Sequence, residues 1–158
     1  MRRTYAYFYT ALLSWSLISV IVQATPERYV SGIPSLDAFL KAKPENQQVV
    51  GMTGFYGQDQ PQQWLILALD PQSPTYMHEY VVSDNRIQGS RKMRKLPVQD
   101  LPDIPIDRNR LKIDSDFAFE LAEELARSAN VSYDSVHYQL RCRDQNHEPV
   151  WMVNMLDP

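Results

Sequence analysis

The sequence predicts an α+β fold in which helices pack on antiparallel sheet, and three patterns point to this class. Two segments, 34–43 and 117–129, repeat apolar residues at spacings of three and four, which is typical of amphipathic helices. The predicted apolar stripe of the second helix includes Leu121 and Leu125, and Asn130 can close this helix in the left-handed conformation. Five segments have the continuous or alternating apolar pattern of β-strands, and a sixth, 86–93, is a more polar strand candidate that follows a hairpin turn. Short turns rich in Asp, Asn, Gly and Pro separate consecutive strands, which favours antiparallel meanders. We therefore expect two small units, each with a helix on a meander.

The first 24 residues have the pattern of a secretory signal peptide. Two arginines precede an uncharged, largely apolar run over 4–22, and the segment ends Val22-Gln23-Ala24. Small residues at the −3 and −1 positions after an apolar core suit signal peptidase. We expect cleavage after Ala24, which places the mature chain, 25–158, in the periplasm or outside the cell. The alternative is an uncleaved anchor, because residues 4–22 reach about the minimum length of a membrane span.

The predicted elements divide the mature chain into two units. The N-terminal unit covers 25–95 and contains the first helix and four strands. Residues 96–107 hold three prolines and no periodic pattern, which indicates a linker. The C-terminal unit, 108–158, contains the second helix, with Asp114 as a candidate cap, and two strands. The similar order of elements makes duplication a hypothesis, since the identity between the halves is slight.

Composition excludes some classes of function. Removing Arg2 and Arg3 from the 16 basic residues leaves 14 against 19 acidic residues, a formal charge of −5. This balance argues against nucleic acid as the main partner, which usually demands a basic surplus. Cys142 is the one cysteine, so the chain has no internal disulfide and the core must hold the fold. Its place in an alternating strand predicts a buried thiol.

Two strands carry specific expectations. Residues 64–69 are apolar at every position, so either both faces of this strand are covered or one face meets a partner. Residues 86–93 form the most polar strand and belong at a sheet edge, where basic side chains discourage unwanted pairing. Asp84 and Asn85, between this strand and the one before it, fit a two-residue hairpin turn.

No group of side chains reaches the strength of a catalytic motif, so neither an enzyme activity nor a cofactor is predicted. His78, His137 and His147 lack the ligand spacing of a zinc site. Cys142 and His137 fall on opposite faces of one predicted strand, which argues against a Cys–His nucleophile. The sequence contains neither a Gly-x-Ser-x-Gly elbow nor a phosphate-binding loop.

Two features are candidate partner-binding sites. The first is a basic cluster that comprises Arg86, Arg91, Lys92, Arg94 and Lys95. A solvated edge strand is the favoured interpretation, and an anionic partner is the alternative. The second is an excess of aromatic and apolar residues, which comprises Tyr56, Trp64, Leu65, Leu67 and Leu69. A covered central strand is favoured there, and an exposed patch that meets another protein is the alternative.

The second half of the chain resembles a known family. The resemblance rests on Leu111-Lys112-Ile113-Asp114-Ser115, Ala118-Phe119, Ser132-Tyr133-Asp134-Ser135-Val136-His137-Tyr138-Gln139-Leu140-Arg141 and Pro149-Val150-Trp151-Met152-Val153. These runs are similar to the PepSY-like domains of small exported bacterial proteins. The resemblance implies a non-catalytic role, in which the domain binds or restrains a protease or binds another envelope component. Such domains usually continue past the tryptophan-containing strand with a turn and a further strand, which this sequence does not show before Pro158.

The sequence therefore predicts an exported, non-catalytic binding protein of the bacterial envelope that modulates a protease or binds a peptide. A structural subunit of an envelope assembly is the alternative, and an enzyme with an unrecognised site is a weaker one. The expected partner is a protein or peptide, such as an exported protease, and membrane contact is expected only if the N-terminal segment stays uncleaved. Any edge strand could pair with an extended peptide, because main-chain groups are free there.

Overall fold

The computed structural model describes residues 29–42, 48–73, 75–94, 104–142 and 147–157. The predicted signal peptide and residues 96–103 of the predicted linker lie outside these ranges. Within them, no helix has the length and apolar character needed to cross a membrane.

The described chain forms an α+β fold, as the sequence predicts. The helices are α1 (Gly32–Ala42) and α2 (Ser115–Ser128), and a short 3-10 helix covers Arg108–Arg110. The strands are β1 (Val49–Gly57), β2 (Trp64–Leu69), β3 (Tyr76–Ser83), β4 (Arg86–Arg94), β5 (Ser135–Cys142) and β6 (Pro149–Leu156). They form one sheet in the order β4-β3-β2-β1-β5-β6, and every neighbouring pair is antiparallel.

Strands from both halves of the chain share this sheet. Its middle is the pairing of β1 with β5, where Met52 lies opposite Leu140 and Gly54 opposite Tyr138. On one side of this pair β2, β3 and β4 follow outward in chain order, and on the other side β6 follows β5. Each half therefore begins with its helix, places its first strand in the middle and continues toward an edge.

Both helices pack on one face of the sheet. This face is formed by alternate residues of the central strands: Met52, Trp64, Ile66, Ala68, Val136, Tyr138 and Leu140. α1 inserts Leu36 and Phe39, both almost fully buried, and the Phe39 ring lies 4.9 Å from Tyr80 of β3. Each such side chain contributes about 1.5–3 kcal/mol when it leaves water, so this layer is the core.

The opposite face of the sheet carries the other residues of β2. Leu65, Leu67 and Leu69 point there and are half-buried. The position of β2 between β1 and β3 agrees with the favoured interpretation, a central strand, although only one of its two faces lies under the helices.

The starts of both helices meet at one carboxylate. Asp114 is the N-cap of α2, and its Oδ1 accepts hydrogen bonds from the backbone N–H of Ser115 at 2.6 Å and of Ile33 in α1 at 2.7 Å. The Ser115 hydroxyl accepts from the Gly32 N–H at 2.8 Å and donates to Gln60 Oε1 at 2.6 Å. The predicted cap is confirmed, and the same carboxylate also satisfies the first turn of α1.

Two predicted turns are confirmed by their backbone angles. Asp84 and Asn85 join β3 to β4 with φ angles of 50° and 57°, the left-handed pair that a tight hairpin requires. Asn130 follows α2 with a φ of 54°, a conformation in which Asn commonly closes a helix.

Candidate partner-binding site

β4 is one of the two outer strands of the described sheet, as its polar sequence predicts. Its pairing with β3 shifts register between Val81 and Val82, so Gln88 is the extra residue of a β-bulge. Bulges and basic side chains both disfavour the pairing of an edge with another strand. β4 is therefore a protected edge.

The basic cluster does not form a single patch. Arg91 points to the leucine-bearing face of the sheet, where its Nε lies 2.6 Å from Glu79 Oε1. Lys92 points to the helix-covered face, where its Nζ lies 2.7 Å from Asp70 Oδ2. The hydrogen bond from Lys92 holds the pKa of the Asp70 carboxyl below its usual range. An anionic partner would have to compete with both carboxylates, which favours the solvated edge.

The remaining members of the cluster are scattered. Arg86 and Arg94 are exposed at opposite ends of β4, and Lys95 lies outside the described residues. The structure therefore does not bring Arg86 and Arg94 together. These residues are thus close in the sequence, but strand alternation directs their side chains to different faces. On the described chain they form no concentrated cationic surface.

Trp64 lies in the core. It is 1% exposed, its Nε1 donates to the carbonyl of Val30 at 2.7 Å, and its ring centroid is 5.7 Å from those of Tyr138 and Trp151. Trp64 itself is therefore a core residue of the described chain, whereas Tyr56 of the same predicted patch is 77% exposed. The physical reason is strand alternation, because Trp64 occupies the face of β2 that α1 covers.

β6 is the other outer strand, and it differs from β4. Its eight residues, Pro149-Val150-Trp151-Met152-Val153-Asn154-Met155-Leu156, include no charged side chain. Its register with β5 runs without a shift from Ser135 opposite Leu156 to Cys142 opposite Pro149. No described residue pairs with its outer edge. A long, uncharged and regular edge is a ready template for another strand.

α2 presents a different face to the sheet than the sequence predicts. The predicted buried stripe includes Leu121 and Leu125, yet these side chains are 47% and 69% exposed. The buried residues of α2 are the small Ser115 and Ala126, which allow the helix to approach the sheet closely. The leucines lie on the flank of the helix, because α2 packs on an outer strand that has no neighbour beneath this flank.

A groove of about 770 Å³ lies between this flank and β6. Leu121 and Leu125 form its helical wall, Trp151 and Val153 line it from the strand, and residues 109–113 close one end. The indole N–H of Trp151 donates to the carbonyl of Ile113 at 2.9 Å, which holds the ring in place. The groove is thus largely apolar and bordered by an unpaired strand edge.

The dimensions of helix and strand explain why the groove exists. An α-helix with its side chains is about 10–12 Å wide, whereas neighbouring strands lie about 4.8 Å apart. A helix that rests on an outer strand therefore extends beyond it by about one strand position. α2 packs on β6, and its Leu121 and Leu125 line the groove beside this strand.

Three charged residues line the groove. Arg110 and Lys112 are cations, and Glu148, which directly precedes β6, is the one carboxylate among the lining residues. Arg110 Nη2 lies 3.7 Å from Glu148 Oε1, at the end where β6 begins. Lys112 is exposed and adds a second cation to the lining.

Titratable groups elsewhere do not converge on a second site in the described chain. His78 Nε2 lies 3.5 Å from Asp70 Oδ2, the His137 ring packs edge-on against Phe55 and Tyr56, and His147 is exposed. Within the described ranges, no three His, Cys, Asp or Glu side chains form a group that could hold a metal ion.

Two buried side chains of β5 contact backbone carbonyls of neighbouring loops. The Tyr138 hydroxyl donates to the carbonyl of Asp59, and burial raises the pKa of this phenol. Cys142 is 1% exposed, which confirms the predicted burial, and its Sγ lies 3.6 Å from the carbonyl of Pro105. These contacts tie β5 to the neighbouring loops.

Comparison with known proteins adds no relative. No family model matches this chain, and neither the curated proteins nor the solved structures include a significant match. Function is therefore inferred from the sequence patterns and from the geometry of β6 and α2.

Proposed function

We propose that the protein is an exported, non-catalytic binding protein of the bacterial envelope, which binds another polypeptide as an added strand at β6. The observation that carries this proposal is the uncharged, uninterrupted outer edge of β6 beside the apolar flank of α2. Main-chain hydrogen bonds at such an edge supply affinity, and pockets for alternate side chains supply specificity.

Export is supported by the N-terminal pattern, namely the two arginines, the apolar run and the Val22-Gln23-Ala24 ending. We place the mature protein in the periplasm or outside the cell on this basis. A binding role suits this compartment, where the protein would bind a peptide or modulate an exported protease.

We also propose that the two halves are equivalent PepSY-like units that share one sheet. The support is the common order of elements, in which a helix precedes a central strand and later strands lie progressively outward. The resemblance of the second half to PepSY-like domains agrees with this arrangement. The alternative role, a structural subunit of an assembly, would use the same edge of β6 permanently.

Strand addition can be tested with a short peptide that alternates valine and threonine. We expect it to bind, and to slow hydrogen exchange of backbone amides in β6 while leaving those in β4 unchanged. The same peptide with N-methylated backbone amides should not bind, because methylation removes the donors that an added strand uses.

A pair of matched variants locates the site. Met152 of β6 and Met93 of β4 are half-buried methionines on the same face of the sheet, one near each edge. Met152→Lys should weaken peptide binding because an edge lysine opposes pairing, whereas Met93→Lys should leave it unchanged. Equal effects of the two variants, or unchanged binding after N-methylation, would contradict the proposal.

A further inference from the structure

We infer that the partner at β6 is a lone extended segment with apolar side chains at alternate positions and a carboxylate at its C-terminal end, and not a second folded copy of this chain. The inference rests on the proposed function and specifies its ligand. Four observations support it: the internal comparison of the two halves, the faces of β6, the space above β6 and the charges of the groove.

The internal comparison shows what the place beside β6 is suited to hold. Counting outward from the middle of the sheet, β6 occupies the position that β2 occupies in the first half, so the place beside it corresponds to β3. In the first half, α1 packs on β2 and also on β3, where Phe39 contacts Tyr80. In the second half, Leu121 and Leu125 of α2 extend over the corresponding place. A strand there would bury apolar side chains beneath them.

The faces of β6 set the spacing of these side chains. Trp151 and Val153 point to the groove, and Met152 between them points to the opposite face of the sheet. Cross-strand neighbours share a face, so an added strand would present two residues to the groove at positions i and i+2. The residue between them would lie on the open face, where polar side chains are accepted.

The space above β6 opposes a second copy that pairs edge to edge in the antiparallel sense, in which both helical layers would lie on the same face of the joined sheet. Two β6 strands paired with each other would lie about 4.8 Å apart, and each would bring its own α2 toward the other. Packed helices need about 8–10 Å between their axes. Both helices already extend over the same space, so they would collide. A segment without a helical layer of its own meets no such obstacle.

The charges of the groove give the added strand a direction. Antiparallel pairing is the more stable arrangement per residue, and it places the C-terminal end of the partner beside Pro149, where β6 begins. Arg110 lies at that end, 3.7 Å from Glu148, and the exposed Lys112 lines the same groove. A carboxylate on the last residue of the partner, or its terminal carboxylate, complements the Lys112 cation.

The inference is tested with three versions of the alternating peptide: one ending in glutamate, one ending in lysine amide, and one with the same composition but its valines adjacent to one another. We expect the glutamate peptide to bind about two- to fivefold more tightly than the lysine peptide, the range of an exposed ion pair. The block peptide should bind at least about tenfold more weakly, because it loses one apolar contact in the groove.

Variants of the protein assign these effects to the groove. Leu125→Glu should weaken binding by about tenfold, since it places a charge in the apolar wall, and its exposure makes the fold tolerant of the change. Val131→Glu is the control, because Val131 is 50% exposed and does not line the groove. Lys112→Glu should abolish the preference for glutamate, and Lys41→Glu on α1 should preserve it.

The outcomes separate this inference from the proposed function. The inference would be overturned if the glutamate and lysine peptides bound equally, or if the alternating and block peptides did. If N-methylation still abolished binding in that case, the proposed strand addition would be retained. If none of the β6 and α2 variants weakened peptide binding, both this inference and the proposed function would be overturned. Sedimentation should show a monomer whose mass does not change on Met152→Lys, and a dimer dissociated by that variant would establish a second copy as the occupant.

Discussion

Asp114 shows how much of this fold depends on one side chain. Its carboxylate accepts a hydrogen bond from the first turn of each helix, through Ser115 and Ile33. The local role could be predicted, because Asp followed by a helical pattern is a common N-cap. The bond to Ile33 spans 81 residues and could not be predicted, since nothing in the local pattern indicates which distant amide will be near.

Asp114→Ala should lower the free energy of unfolding by about 1–3 kcal/mol, because two helix starts lose their acceptor. Asp114→Asn should cost less, since its amide oxygen can still accept. Urea unfolding followed by circular dichroism measures both changes. An alanine variant as stable as the parent would show that water replaces the carboxylate at both helices.

At the scale of elements, periodicity predicts existence and approximate bounds well. The predicted helix over 117–129 is α2 (Ser115–Ser128), and the predicted strand pairs form as expected. The orientation of α2 could not be obtained in this way. Helical spacing indicates that Leu121 and Leu125 share a face, but which part of that face meets the sheet depends on β6 being an outer strand. The groove was missed for the same reason.

The groove also depends on Trp151, whose ring lies 5.7 Å from Trp64 and 6.3 Å from Tyr138. Trp151→Ala should lower the free energy of unfolding by about 3 kcal/mol, at the lower end for large aromatic residues because the ring is only partly buried. Met152→Ala, on the opposite face of β6, should cost less than about 1 kcal/mol. Equal losses from the two variants in urea unfolding would contradict the assigned faces.

At the scale of the whole molecule, the two predicted units are joined by β1 and β5. These central strands pair over residues such as Met52 with Leu140, and each also belongs to the meander of its own half. Unfolding either half would expose the core and the main-chain groups of the other. The sequence could suggest the units, but it could not show this long-range pairing.

We therefore expect a single cooperative unfolding transition. Tryptophan fluorescence and far-ultraviolet circular dichroism should give coincident curves in urea. Phe39→Leu in the first half and Val136→Ala in the second should each move the whole transition to lower urea without splitting it. Two separated transitions, each moved by only one of these variants, would show that the halves fold independently.

The contrast between the two sheet edges limits how large an assembly can grow. A molecule with two receptive edges could add neighbours without end, as open filaments do. Here β4 carries basic side chains and a bulge, whereas β6 is regular and uncharged. Under the proposed strand addition, the described sheet therefore offers one receptive edge. We then expect a partner strand at β6 to give a complex with a stoichiometry of one to one, which does not extend further through β4.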